Sequence, residues 1–500
     1  MPVAPPSSSE KANARAAEVA AGSSVVLLGN LVNRALRFVT SWALANFLPS
    51  AAIYGVYEAA RTLVTILASF APLGTDKGVV YFGARQRAAG DQSGFRRTVL
   101  LTLLVASVGG PAVASLGAVA AWALELDAVF LLMMPAVAVW SVLLGAVGVL
   151  RALKDMRAQS IAYLVVLPLG MLGAALLPMA GFGVNEVALG FVAANVVALL
   201  IALPLTARRL RRLPEDTGSQ PVSAKSLLAY SVPESFSSMM FRVNQWADTL
   251  MVWLIAGTAD VGLYRAAVTL AMIGEVPAVA VNTIFQPVIA EMVQADDPEQ
   301  LRRVVRIVTR WMVMMAAPIY LGIYVGIEVL LQAWKPEYAS SADALAILLW
   351  GQAAYVLAVP VTALIPMSGR ARLNLVNAGG AATLNVLLNA LLIPNWGIEG
   401  AATATGITLA AWSAWRMVQV KVLLDVQAFS ARSLGLTAAF VVLGLGARWS
   451  TADASLMVQA GACAGSVLVF CVLAFAFGRT PGDAVVLDRV TARLKKKLGV

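Results

Sequence analysis

Nine ionisable side chains interrupt sequence that is otherwise apolar enough to sit in hydrocarbon: Arg34, Arg37, Glu58, Arg61, Glu234, Arg242, Asp248, Arg265 and Glu275. A charge at the centre of a bilayer costs at least about 2.5 kcal/mol, so each of these groups must face a partner or a watered space. Arg34 and Arg37 stand three apart and share one helix face, too far from either interface for the guanidinium to reach it. Two readings follow. In one, each is neutralised by Glu58 or Asp248 as a structural ion pair. In the other, Arg34, Arg37, Arg61, Arg242 and Arg265 line a cationic cavity for an anionic head group. Arginine suits phosphate because its planar fork makes two parallel hydrogen bonds. Five arginines face four acids, so the positive sign of the cavity rests on clustering rather than on arithmetic.

The acids carry a second possibility, coupling to an ion. Asn244 and Asp248 are four apart on one helix face, a spacing that suits a coupling cation or proton and equally suits hydrogen bonding between helices. Glu275 lies two residues before Pro277, where a broken helix frees carbonyls that can join a cation site. Glu58 and Arg61 are three apart, which reads as an intrahelical pair or as direct contact with cargo. Little else in the chain offers chemistry. There is no histidine, the commonest general base and metal ligand. Cys463 and Cys471 fall in one apolar run, separated by roughly 12 Å of helix rise, beyond disulfide reach. No catalytic residue, metal or cofactor is expected.

The elements that position these groups are membrane helices. The chain is 60% hydrophobic and only 13% charged, with a mean hydropathy of +0.79, whereas soluble domains carry about 25% charged residues. Hydrocarbon accepts such a chain when its backbone groups bond within each segment, which favours helices. Fourteen apolar runs of spanning length fit between residues 22 and 477. The net charge of +10 does not form a nucleic-acid patch, because the bases fall in short clusters between the runs. With a cytoplasmic N-terminus, the cytoplasmic tails and connections hold thirty of the 37 Lys and Arg. Lys335 and Arg448 alone lie outside, and five arginines lie within the runs. That asymmetry is the positive-inside pattern and places both termini in the cytoplasm. Residues 1–21, with Pro2, Pro5, Pro6 and three serines, read as a disordered tail rather than a signal peptide.

The runs also repeat. Tyr54-Gly-Val-Tyr-Glu-Ala-Ala60 reappears as Val261-Gly-Leu-Tyr-Arg-Ala-Ala267, and Asp91, Phe95-Arg96-Arg97 and Val99 match Asp297, Leu301-Arg302-Arg303 and Val305. The offset of about 207 residues spans six helices, so both copies have one orientation, and the cargo path is expected between the halves. The predicted fold class is all-α: a polytopic membrane protein of about 14 transmembrane helices, two parallel six-helix halves plus a C-terminal helix pair. The expected segments are a tail (1–21), an N-terminal lobe (22–206), a cytoplasmic linker (207–225), a C-terminal lobe (226–421), an additional helix pair (422–477) and a basic tail (478–500). The tail's Arg493-Leu-Lys-Lys-Lys497 suits anionic inner-leaflet lipid.

Several stretches taken in order carry a resemblance. Leu384-Asn385 through Asn389 runs to Ile-Pro394, then Gly397-Ile-Glu-Gly400-Ala-Ala-Thr403-Ala-Thr405. Asp248-Thr-Leu-Met precedes Gly262-Leu-Tyr264-Arg-Ala-Ala267, followed by Phe285-Gln-Pro287-Val-Ile-Ala-Glu291; Pro49 to Tyr57 and Leu73-Gly74 fit the same pattern. Over residues 22–477 the chain resembles the O-antigen flippase (Wzx-like) group of the polysaccharide transporter family, within the multidrug/oligosaccharidyl-lipid/polysaccharide (MOP) flippase superfamily. The resemblance implies a two-lobed, alternating-access transporter of a bacterial cytoplasmic membrane. It implies a polyprenyl-pyrophosphate-linked oligosaccharide as cargo, with arginines of helices one, two and eight, here Arg34, Arg37, Arg61 and Arg265, near the pyrophosphate. The implied partners are that lipid-linked oligosaccharide, the bilayer and a polysaccharide polymerase or export complex, with no nucleic acid. The alternatives are a cation-coupled multidrug exporter or a peptidoglycan-precursor flippase of the same superfamily. A glycan polymerase or ligase would need a sizeable external loop, which the short external connections do not supply.

Overall fold

The computed structural model describes residues 8–213, 222–294, 298–367, 370–451, 454–478 and 480, and among these the side chains of 8–25 are outside the description. Every regular element among the described residues is helical. The first is α1, Ser8–Phe47. It begins within the segment whose prolines and serines predict an irregular tail, because Glu10-Lys-Ala-Asn-Ala-Arg-Ala-Ala-Glu18 is rich in strong helix formers. Next, α2 runs from Ala51 to Phe70 with Ser50 capping its N-terminus, and resumes as Thr75–Ala88. The break follows Pro72, where Leu73 and Gly74 take positive φ of 48° and 72°. The stretch after residue 75, expected as a connection, is therefore mostly helix.

Then come α3 (Gln92–Ala123), α4 (Ala128–Met133 with Pro135–Ala152), α5 (Met156–Gln159, a π segment Ser160–Val166, then Leu167–Ala175) and α6 (Val184–Arg211). They are followed by α7 (Ala224–Ile255), α8 (Thr258–Ala271, a 3-10 turn Met272–Glu275, then Val276–Gln294), α9 (Pro298–Val325) and α10 (Ala342–Thr362). One helical run, Ala371–Leu424, is interrupted at Gly397, whose φ of 51° and ψ of −127° are not helical. Its 53-residue apolar stretch would be about 80 Å long if straight, well beyond one crossing. The residues before and after Gly397 are accordingly two helices, α11 and α12. A side chain at that φ would be strained, which is why glycine stands there. Last are α13 (Ala431–Thr451) and α14 (Leu456–Gly478).

Eleven of these helical stretches are long and apolar enough to cross a membrane. The division at Gly397 makes one more crossing, and α1 and α7, at 40 and 32 residues, exceed the roughly 20 residues a crossing needs. Their intramembrane charges lower their hydropathy without shortening them. The chain is an all-α polytopic membrane protein, and counted this way fourteen helices among the described residues are long enough to cross. Ion pairs and caps tie helix ends together on each side. On the side rich in bases, Arg209 of α6 meets Asp155 before α5 at 2.5 Å, and Arg302 of α9 meets Asp425 after α12 at 2.7 Å. The Asp425 carboxyl is held below the usual carboxylate range, first by a hydrogen bond from Lys421. On the opposite side Lys335 donates to the Leu48 carbonyl, and Arg448 pairs with Glu328 at 3.1 Å.

The centre is built from α2 and α8, which carry the two copies of the repeated motif. A Cβ at Gly55 would stand 1.7 Å from the Thr258 carbonyl oxygen, and a Cβ at Gly262 would stand 2.0 Å from that of Ala51. The contact is reciprocal: Gly55 and Gly262 are equivalent in the repeat, as are Ala51 and Thr258. Each glycine admits the partner backbone where any side chain would block it, as small residues do between membrane helices. Around this crossing α1 packs on α5, α2 also on α4 and α7, α7 on the Ala371–Leu424 run, and α10 on α12, where Gly351 meets Gly406. The α9 helix seats α13 and α14.

Candidate functional site

One turn beyond the glycine crossing, α2 presents Glu58 and α8 presents Arg265. The Arg265 Nε donates to Glu58 Oε2 at 3.0 Å, across a sequence separation of 207. The repeat places these two residues at equivalent positions, so a symmetric helix crossing brings them face to face, with opposite charges. From its own helix Glu58 also receives Arg61, whose Nε and Nη2 donate to the two carboxylate oxygens at 3.1 and 2.5 Å. The intrahelical reading of Glu58 and Arg61 holds, with Arg265 as the further partner. All three are enclosed; Glu58 is 2% exposed and the Arg61 side chain 14%. Trp246 of α7 lies under both cations, its ring centroid 5.2 Å from the Arg61 guanidinium carbon and 4.8 Å from that of Arg265. Ring faces attract cations, so Trp246 adds to the hold on both. Toward the Lys335 side, the Ser41 hydroxyl of α1 meets the Tyr54 hydroxyl at 2.6 Å and that of Thr269 at 3.1 Å, which joins α1, α2 and α8.

Arg37 makes no ion pair among the described residues. It is exposed, and the charges that act on it include Arg61, Arg265 and Glu58. Arg34, one turn toward the basic side, pairs with Glu275 of α8 at 3.0 Å. The expectation that Glu58 or Asp248 neutralises Arg34 gives way to this pair, because α1 runs antiparallel to α8 and brings Arg34 to the 3-10 turn that ends in Glu275. Arg242 is half-buried on α7 and acts on Asp76 of α2, apart from the Glu58 group. Lys77 and Glu234 approach to 3.6 Å nearby, where Tyr230 of α7 stacks on Tyr81 of α2 at 4.2 Å.

Asp248 belongs to a different cluster. Its Oδ2 accepts from the Tyr264 hydroxyl at 2.7 Å and its Oδ1 from the Thr249 N–H at 2.6 Å. Tyr264 reaches the Thr405 hydroxyl of α12 at 3.4 Å, and Asn385 of α11 donates to the same hydroxyl at 3.4 Å. Asn389 donates to Asn385, and its own buried Oδ1 accepts nothing. This is a hydrogen-bonded cluster of polar side chains from α7, α8, α11 and α12. Asn244 lies on α7 one turn before Asp248, with its side chain outside the described residues.

Residue-by-residue reading misses several groups. Trp246 carries no signal until α7 is packed on α2 and α8. Tyr264, Asn385, Asn389 and Thr405 lie in the family-like motifs, but their convergence on Asp248 depends on how α7, α8, α11 and α12 meet. Arg416, counted among the bases of a cytoplasmic connection, sits in α12. It donates to the Thr362 carbonyl at the end of α10 at 2.6 Å and stacks over Trp412 at 5.1 Å. The carbonyl end of a helix attracts a cation, so a structural strut accounts for it.

The sequence profile of the polysaccharide biosynthesis protein family matches residues 19–293, and that of the MatE family matches residues 233–391. No curated protein has a matching sequence. Among solved structures the chain is similar to an inward-facing multidrug resistance MATE family transporter of the MOP superfamily. That match has a TM-score of 0.64 and 14% identity, and it covers 79% of this chain and 94% of the other. It is similar to the lipid II flippase MurJ in an inward closed conformation, with a TM-score of 0.63, 11% identity, and 90% and 99% coverage. A third is a MOP superfamily transporter from Pyrococcus furiosus described as having a binding pocket of reverse polarity, with a TM-score of 0.58, 16% identity, and 82% and 95% coverage. At such identities the likeness is one of fold.

Proposed function

The chain belongs to the polysaccharide biosynthesis protein family and has the transporter fold of the MOP superfamily, and on that premise we propose that it flips a polyprenyl-diphosphate-linked oligosaccharide across the bacterial cytoplasmic membrane, with both termini in the cytoplasm. The observation that carries this reading is the charge balance between α1, α2 and α8. Two guanidiniums, of Arg61 and Arg265, hold a single carboxylate, Glu58, and a third, that of Arg37, lies within electrostatic reach of them. A net positive group at mid-membrane is stable only if an anion visits it or water fills it, and a diphosphate fits the bidentate geometry of arginine. Arg34, which shares its helix face with Arg37, offers a further contact toward the cytoplasmic side. The drug-exporter alternative calls for free acids at the centre, since such cargo is usually cationic; here Glu58 and Glu275 are both covered by arginine, and Asp248, which has no arginine on it, is held by Tyr264 and Thr249.

The test is transport of a fluorescent polyprenyl-diphosphate disaccharide in proteoliposomes. Movement of that lipid, and not of a matched polyprenyl monophosphate or a cationic dye, is the expected result. Transport of the dye alone would overturn the reading in favour of drug export.

In the same scheme Asp248, with Tyr264, Asn385 and Thr405, is the seat for a coupling cation or proton. Asp248→Asn is expected to reduce transport driven by an ion gradient by about tenfold or more, the cost of about one charge-assisted contact, while leaving gradient-free exchange of the lipid unchanged. Measuring both rates in the same vesicles decides it, and an equal loss of both would assign Asp248 a structural role. Glu275, held by Arg34, is the lesser candidate for coupling.

A further inference from the structure

The unassigned feature of the centre is Glu58 itself, an acid where the proposed cargo is anionic. We propose that the Glu58 carboxylate is a tethered stand-in for the diphosphate: it occupies the Arg61–Arg265 cradle while the path is empty and is displaced when the cargo's anion docks. This rests on the reading of the chain as a diphosphate-lipid flippase.

Four observations carry it. The carboxylate accepts from two guanidiniums, its Oε1 from Arg61 at 3.1 Å and its Oε2 from both Arg61 at 2.5 Å and Arg265 at 3.0 Å, as one phosphoryl group of a diphosphate would. Trp246 forms the floor of the cradle beneath both cations. Trp246 is 8% exposed, and its indole N–H has no acceptor among the described residues although both cations rest on its ring. The ring face holds the two cations together independently of the carboxylate, so they stay grouped when the carboxylate leaves. Arg37 supplies a third cation, exposed, without an ion pair among the described residues, and within electrostatic reach of Arg61 and Arg265. Finally, Arg61 and Glu58 belong to one half while Arg265 and Trp246 belong to the other. The carboxylate therefore links the two halves, and its exchange for cargo couples occupancy to their separation.

The tether has two consequences. Without an anion, three arginines in a low-dielectric centre would repel one another and force the helices apart; Glu58 lets the empty carrier close and return. With cargo bound, Glu58 becomes a like charge beside the diphosphate and weakens its hold, which favours release on the far side. It acts as an intramolecular competitor.

The test measures binding of geranyl diphosphate to the purified full-length protein in lipid nanodiscs by calorimetry, with turnover measured in proteoliposomes. Glu58→Gln keeps the shape and the hydrogen-bond acceptor and removes the competing charge. It is expected to bind geranyl diphosphate about tenfold tighter or more, as removal of a unit charge a few ångströms away implies, and to turn over more slowly. Glu58→Asp retains the charge and is expected to stay near the wild type in affinity. Wild-type affinity or weaker in a well-inserted Glu58→Gln protein overturns the proposal while leaving the function standing, provided that the wild type binds. Failure of every form to bind overturns both.

A second measurement on the unmodified protein does not depend on the variant folding. A hydrophobic carbodiimide should label Glu58 faster when geranyl diphosphate is present, because displacement frees the carboxylate. Slower or unchanged labelling at saturating diphosphate overturns the proposal.

Discussion

Arg37→Ala is expected to lower transport of the diphosphate-linked lipid by about one to two orders of magnitude and to leave the protein folded and inserted. The magnitude follows from losing hydrogen bonds to a charged group, about 1.5–3 kcal/mol, at the point where the proposed function places the cargo's charge. The folding half of the prediction follows from its surroundings. Arg37 is exposed and has no ion pair among the described residues, so its removal strands no buried carboxylate. Stability should change by no more than about 0.5 kcal/mol, and relief of repulsion from Arg61 and Arg265 works in the stabilising direction. Arg265→Ala makes the contrast. It leaves a fully enclosed Glu58 with one partner in place of two, and breaking a buried pair costs about 3–5 kcal/mol. That variant should be poorly recovered, and its inactivity would say little about cargo. Transport by vesicles of equal protein content, with the unfolding temperature in detergent alongside, separates the two. Arg37→Ala transport within twofold of the wild type would remove the cationic centre from the mechanism.

What made Arg37 hard to single out from sequence is also what makes it informative. Helical spacing and hydropathy place every mid-membrane charge on α1, α2, α7 and α8, because a charged residue within an apolar run is conspicuous and the runs are long. The pairing of those charges was only partly legible. Glu58 with Arg61 follows from one helix's geometry, and local spacing suffices. Arg265 with Glu58 depends on two helices crossing at equivalent residues; the repeat at offset 207 contains that information, but only once the crossing is known to be symmetric. Arg34 with Glu275 depends on the height of α1 against a 3-10 turn in α8, which a hydropathy profile fixes only to within several residues. Glu275 beside Pro277 reads as a cation site from sequence, and a partner on another helix changes the reading. Trp246, Asn389 and Thr405 are ordinary apolar or small polar residues in isolation. Their roles arise from packing, where one helix supplies a donor and another an acceptor.

The reciprocal glycine contact gives the other large prediction. Gly55→Leu is expected to abolish transport by preventing the α2–α8 crossing from closing on the Lys335 side. Even the first carbon of a side chain at this position would lie 1.7 Å from the Thr258 carbonyl oxygen; the obstacle is backbone and cannot rotate away. The α2 helix itself is not weakened, since replacing glycine within a helix favours it by up to about 1 kcal/mol. The change therefore acts on the closed arrangement rather than on folding, and the carrier should rest open toward that side. With Cys463 and Cys471 replaced by alanine, a cysteine at Ser41, which lies beside Tyr54 and Thr269, reports the opening. A membrane-impermeant maleimide added from the Lys335 side should label it in the Gly55→Leu background and scarcely at all with Gly55 intact. Gly173→Ala in α5, where an added Cβ meets nothing within 4 Å, should transport normally. Equal labelling in both backgrounds, with transport lost, would mean that the crossing is a fixed pillar and that the two halves part elsewhere. The symmetry of the contact sharpens the test: Gly262→Leu meets the Ala51 carbonyl oxygen in the same way, so a gate at the crossing requires both variants to open the same side. If only one of the pair did so, the opening would belong to one helix's local distortion and not to separation of the halves.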